Sequence, residues 1–205
     1  MKQKIYKIFF IILIIALIIV IGLIAVKYTK SYINESESKE VVSMFLESVQ
    51  EENKESNTEQ DENEIIMNGY KVIGIIKIPK IEIEYPILDI TTYNPADTSE
   101  PMKYGIVKYW GDNVNEYGNL SLAGHNYYNG TMFGKTKKLE VGDMVELTDL
   151  KNDTIKYQIY DKFSTDPNDV TILENNDKTV REVTLITCTN GNRNRLILKA
   201  REIID

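Results

Sequence analysis

Residues 8–26 form an unbroken apolar run, and no other stretch limits the chain so strongly. As a helix, a run of that length rises about 28 Å, which matches the roughly 30 Å hydrocarbon core of a bilayer. A cleaved leader is the competing reading. Its apolar core usually spans only about 7–15 residues, however, and no small-x-small cleavage site follows the run. Lys2, Lys4 and Lys7 precede the run, whereas Lys27 and Lys30 soon give way to Glu35, Glu37 and Glu40. That bias predicts a single-pass protein of the cell membrane: residues 1–7 are cytoplasmic, 8–26 are the uncleaved anchor, and the remainder lies outside.

Residues 27–64 should join the anchor to a folded domain. Val41, Val42, Phe45, Leu46 and Val49 recur at helical spacing, which predicts a short amphipathic helix, either a stalk or a helix packed on the domain. Residues 50–64 contain no apolar side chain and read as a solvated acidic linker. The formal net charge of −7 excludes nucleic acid as the principal partner. A single cysteine excludes an internal disulfide framework; in an exported chain it reads as a reactive thiol or an intermolecular bridge.

From residue 65 to 205 the texture is short, β-rich and punctuated by turns. Strands are predicted over residues 72–78, 81–88, 105–110 and 119–124, with a loop over 91–103 and a short helix over 132–139. A hairpin follows over 144–148 and 156–163. Next comes a polar connection, 164–178, whose apolar patch is Val170, Ile172 and Leu173. Two final strands flank Asn190-Gly191, a strong turn signal. The expectation is an all-β domain: a closed antiparallel β-barrel of about eight strands with short helices, preceded by one transmembrane helix.

Three side chains at strand ends carry chemistry. Cys188 sits where one of the final strands runs out, and an arginine opens the other. A two-residue turn would set Cys188 opposite Arg193, and a six-residue connection would set it opposite Arg195. Both arginines have the same parity, so spacing leaves either in play. A guanidinium beside a cysteine favours thiolate over thiol. His125, the only histidine, also ends a strand. A cysteine and a histidine can together generate a thiolate and deliver a proton to a leaving amine. An inert core cysteine would instead make the domain a membrane-tethered binding module.

The motif Thr184-Leu185-Ile186-Thr187-Cys188 resembles the TLxTC signature of sortases, membrane-anchored transpeptidases of Gram-positive cell surfaces. Arg195-Leu196-Ile197-Leu198-Lys199-Ala200 resembles the family's catalytic-arginine strand. Leu122-Ala123-Gly124-His125 with Met132-Phe133-Gly134 is similar to its histidine segment, and residues 76–81 with 85–87 to its opening strands. The resemblance implies Cys188 as nucleophile, His125 as general acid and base, and Arg195 rather than Arg193 as the oxyanion and substrate-positioning group. It implies cleavage of an LPxTG-like motif through a thioacyl-enzyme, with transfer to an amine on a peptidoglycan precursor or a pilin. A thiol peptidase that only hydrolyses is the neighbouring reading. Val170, Ile172 and Leu173 would line the groove for the motif's Leu and Pro, and Thr187 would join the substrate contacts. No cofactor is expected. Calcium is a secondary candidate, since some sortases bind it between loops, and Asp112, Glu116 and Glu174 are carboxylates in that region.

Overall fold

A computed structural model describes residues 2–52, 64–90, 98–174 and 179–204. Helix α1, Lys2–Glu52, is continuous, and the chain divides into two units, residues 1–36 and 37–205. In the first unit every side chain from 8 to 26 is exposed. By length and composition this helix is able to cross a membrane, where its apolar surface would meet lipid.

The second unit is built on strands. Among the described residues these are β1 (Ile66–Met67), β2 (Tyr70–Ile78), β3 (Ile83–Asp89), β4 (Ile106–Gly111), β5 (Gly118–Ala123), β6 (Met144–Asp149), β7 (Thr154–Thr165), β8 (Arg181–Thr189) and β9 (Asn194–Glu202). Their order is β1-β2-β3-β4-β5-β8-β9-β7-β6, and β6 pairs back onto β2. Strands β2 to β9 therefore close an eight-stranded barrel, with β1 as a two-residue addition at its edge.

The barrel is mixed rather than antiparallel throughout. β3 pairs parallel to β4, and β5 pairs parallel to β8. Turn signals report only consecutive strands, whereas β5 meets β8 across the whole β6–β7 hairpin. A parallel pair needs such a crossover connection. The predicted helix over 132–139 shrinks to a 3-10 turn at Thr136–Lys138. Met132 instead has φ 50° and bridges back to Asn126. A Cβ at Gly134 would lie 2.2 Å from the Tyr127 carbonyl oxygen, so this loop is folded tightly on itself.

Alternation along the strands sorts the apolar residues into two layers. Leu122, Leu147, Tyr157, Leu185 and Leu198 fill the barrel interior. Val72, Ile75, Leu88, Val107, Ala123, Ile186 and Ile197 form a second layer on the outer face. The end of α1 covers part of that outer layer. Val42 and Phe45 are buried in it, the Ser38 hydroxyl donates to the Tyr104 carbonyl, and Asn68 Nδ2 donates to Glu37 at 3.3 Å. The amphipathic segment is thus packed on the barrel. The acidic linker lies for the most part outside the described residues.

Truncating a fully buried phenylalanine costs about 3–5 kcal/mol through lost transfer energy and a cavity. Phe45→Ala should therefore destabilise the 37–205 unit by roughly 3 kcal/mol, read as a lower urea midpoint for the full chain in detergent micelles. An unchanged midpoint would show that the end of α1 adds nothing to the domain.

Candidate active site

Two strands and the segment after a third bring three groups to one end of the barrel. In the β8–β9 ladder Cys188 pairs directly with Arg195, and the next pair, Thr189 with Asn194, closes the hairpin. The turn leaves four residues unpaired, and its Asn190, Gly191 and Asn192 all have positive φ, 50°, 62° and 70°. Glycine and asparagine tolerate that region best. The open question of register is answered by this turn, and Arg193 lies within it, outside the ladder.

On the other side, β5 runs parallel to β8 with Ser121 opposite Thr184 and Ala123 opposite Ile186. The Gly124 N–H extends the ladder, donating to the Ile186 carbonyl at 3.2 Å. Two residues beyond Ala123 and Ile186 come His125, past the end of β5, and Cys188, with the same parity. Adjacent strands lie about 4.8 Å apart. His125, just past the end of β5, thus follows the strand that neighbours Cys188, and Cys188 pairs with Arg195, so the three groups gather at one end of adjacent strands. Gly124 instead makes room on the interior side, where a Cβ would sit 2.6 Å from Ile106 Cδ1 and 2.8 Å from Phe133 Cδ2.

His125 is half-buried, its ring centroid 4.9 Å from that of Tyr127. Burial is the main cause that lowers its pKa below the ordinary imidazole value. The Ser99 carbonyl, 3.4 Å from Nε2, opposes this by favouring a protonated ring, and the Lys103 charge adds to the lowering. The histidine backbone is pinned as well, since its carbonyl accepts from Phe133 N at 2.9 Å. Asn126 Nδ2 donates to the Cys188 carbonyl at 2.7 Å, tying the histidine loop to the cysteine strand. Neither the Ser99 nor the Asn126 contact is visible in the sequence. Adjacency to the histidine was the only signal for Asn126; none marked Ser99, which acts through its backbone.

Cys188 is partly exposed at the rim. Arg195 Nη1 makes only long bonds, 3.3 and 3.4 Å, to the carbonyls of Asn192 and Asn194. The Arg195 guanidinium is thus held over the turn. The remaining expected substrate contacts fall in different places. Ile172 and Leu173 lie in a 3-10 turn, Thr171–Leu173, that belongs to the outer layer together with Ala123, Ile186 and Ile197. Val170, just before it, is exposed. Thr187 is not brought to the rim surface: it is buried, and its hydroxyl donates to the Gly124 carbonyl at 2.7 Å.

The calcium candidates do not assemble. Asp112 accepts from the Asn119 N–H at 3.1 Å, and Glu116 accepts from the Asn113 N–H at 3.3 Å. Among the described residues no group of three His, Cys, Asp or Glu side chains is disposed to hold a metal.

Comparison with known proteins places this geometry. A profile of the sortase domain matches residues 76–203. Sortase A of Staphylococcus aureus is 25% identical over 183 residues, 88% of this chain and 86% of that protein. Sortase A of Bacillus anthracis is 31% identical over 121 residues, 58% of this chain and 53% of that protein. Among solved structures, a sortase D5 transpeptidase of Clostridium perfringens superposes with a TM-score of 0.64 at 30% identity, covering 82% of this chain and 99% of that one. A sortase profile over most of the chain, and histidine, cysteine and arginine gathered at one end of a closed mixed barrel, lead to one conclusion: the chain belongs to the sortase family.

Proposed function

We propose that this sortase-family cysteine transpeptidase cleaves an LPxTG-like sorting motif and passes the severed protein to an amine of the cell wall or of a pilin. The single observation that carries this reading is the pairing of Cys188 with Arg195 at the barrel end where His125 follows β5, the strand beside Cys188's own. There the Cys188 thiolate attacks the carbonyl carbon of the motif's threonine. A C–S bond forms, and the oxyanion is held by Arg195. The tetrahedral species collapses with cleavage of the C–N bond, and His125, protonated at that moment, gives its proton to the leaving amine. The incoming amine then loses its proton to His125, attacks the thioester and releases the thiolate. One peptide bond is broken and one is formed, with no oxidant or external energy source.

The half-buried setting of His125 supports its role, because a ring readily neutral near pH 7 accepts a proton from the attacking amine. Val170, Ile172 and Leu173 form the wall against which the motif's Leu and Pro pack, beside a floor of Ala123, Ile186 and Ile197. Thr187 contributes indirectly, holding the Gly124 carbonyl and with it the approach of His125. Residues 8–26 anchor the enzyme in the membrane. The lysine bias around them sets residues 1–7 inside and the 65–205 domain outside, where the substrates are.

Full-length protein in micelles, incubated with a panel of sorting-motif peptides, should show an acyl adduct on Cys188 by mass spectrometry. Cys188→Ala should show none. Added amine should convert the adduct to an amide. Hydrolysis alone at high amine concentration would make the protein a peptidase, and an unreactive thiol would make it a binding module.

Arg195→Ala should lower kcat/KM by about 10²–10³, the usual loss for one oxyanion donor. A change of under about threefold would remove Arg195 from the mechanism.

The active form carries one proton shared between thiol and imidazole, so kcat/KM should be bell-shaped in pH, with apparent values that belong to the pair. Burial lowers the His125 pKa, so the doubly protonated form persists only at lower pH and the acidic limb shifts down. That limb should lie below the ordinary imidazole value of about 6.5. A limb above that value, or a rate still rising as pH falls below about 5, would contradict the assignment.

A further inference from the structure

His125 and Cys188 stand at one end of two aligned columns of outward residues, on β5 and β8. Down β5 the outward residues are Asn119, Ser121 and Ala123, and beside them on β8 lie Thr184 and Ile186. Each column therefore runs from polar residues, through the apolar floor, to His125 or Cys188. The polar end is buried: Asn119 is 2% exposed, and Ser121 and Thr184 are 0%. Polar groups buried this deeply are costly unless bonded, and here the bonds lead out of the barrel. Asn119 Oδ1 accepts from the Thr184 hydroxyl at 2.9 Å, while Asn119 Nδ2 donates to the Leu173 carbonyl at 3.1 Å. A longer contact, 3.4 Å, joins Nδ2 to Ser121 Oγ.

Leu173 ends the 3-10 turn Thr171–Leu173, and the turn's own bonds, Leu173 N to Val170 O and Glu174 N to Thr171 O, are local. The Asn119 bond reaches it from a strand 54 residues away in sequence. We infer that Asn119 is a positioning residue: its carboxamide clamps the 170–173 wall to the barrel floor and so sets the width of the substrate groove. This rests on the proposed reading of that groove. Asparagine suits the task because one side chain must accept from the Thr184 hydroxyl and donate to a carbonyl at once. Serine is too short to do both, and an aspartate would turn an acceptor toward the Leu173 oxygen.

Asn119→Asp keeps the shape and the Thr184 bond while reversing the Leu173 contact. In the full chain in micelles, without substrate, amide exchange at residues 171–174 should quicken about tenfold, with β5 and β8 amides unchanged. With a sorting-motif peptide, KM should rise about tenfold while kcat stays within about twofold, the signature of lost binding rather than lost chemistry. Should Asn119→Asp not fold, Thr184→Val removes the hydroxyl that orients the amide and should move both readouts the same way by a smaller factor. Unchanged exchange at 171–174, equal acceleration throughout β5 and β8, or a fall in kcat at constant KM would each overturn the inference. A wild-type chain that cleaves no sorting motif would defeat the functional reading, yet the exchange measurement would still decide the clamp.

Discussion

Register between three strands is the constraint on which the site depends. β8 is hydrogen-bonded to β5 on one side and β9 on the other, parallel to the first and antiparallel to the second. Because side chains alternate, a slip of one residue in either ladder would turn one of the proposed reacting groups into the barrel interior. Both ladders are locked by burial on two faces. Leu120, Leu122, Val183, Leu185, Leu196 and Leu198 belong to the interior, and Ala123, Ile186 and Ile197 to the outer layer. The turn after Cys188 adds a local lock, since Asn190, Gly191 and Asn192 supply three successive positive φ angles.

What surrounds these groups tunes them. Burial of His125 favours the neutral ring, while the Ser99 carbonyl, presented by the segment before the 3-10 turn Pro101–Lys103, favours the protonated one. A ring balanced between these influences can both give and take a proton. The same segment is held from behind, because Ser38 of α1 donates to the Tyr104 carbonyl. Thr187 and Asn126 fix the strand ends to each other through main-chain carbonyls, so the separation of thiol and imidazole is set by backbone.

Much of this was legible in the residues themselves. Short β-rich runs between turn signals located every strand of the barrel to within a few residues, and a lone cysteine, a lone histidine and a following arginine pointed to the candidate site. What was not legible is long-range. Nothing in residues 118–123 says that they will lie parallel to 181–189, because the pairing is decided by closure of the barrel. The choice between Arg193 and Arg195 turned on a connection whose length depends on where the ladder stops. Residues 132–139 look helical by composition, yet the demand for close packing around Gly134 and the Tyr85 hydroxyl, which accepts from Met132 N at 3.1 Å, overrides that preference. In the sequence Asn119 reads only as the start of a strand, since a polar residue in such a position reveals its partner only once the chain is folded.

The proposed mechanism requires the Cys188 thiol and the His125 imidazole to act together at the rim. It is tested most directly by the pH dependence of Cys188 alkylation by iodoacetamide in the full-length chain and in His125→Ala. If the two groups are neighbours, the wild-type rate should follow two ionisations and the variant only one. Superimposable profiles would mean that sulfur and imidazole do not sense each other, and the account of the site would fail.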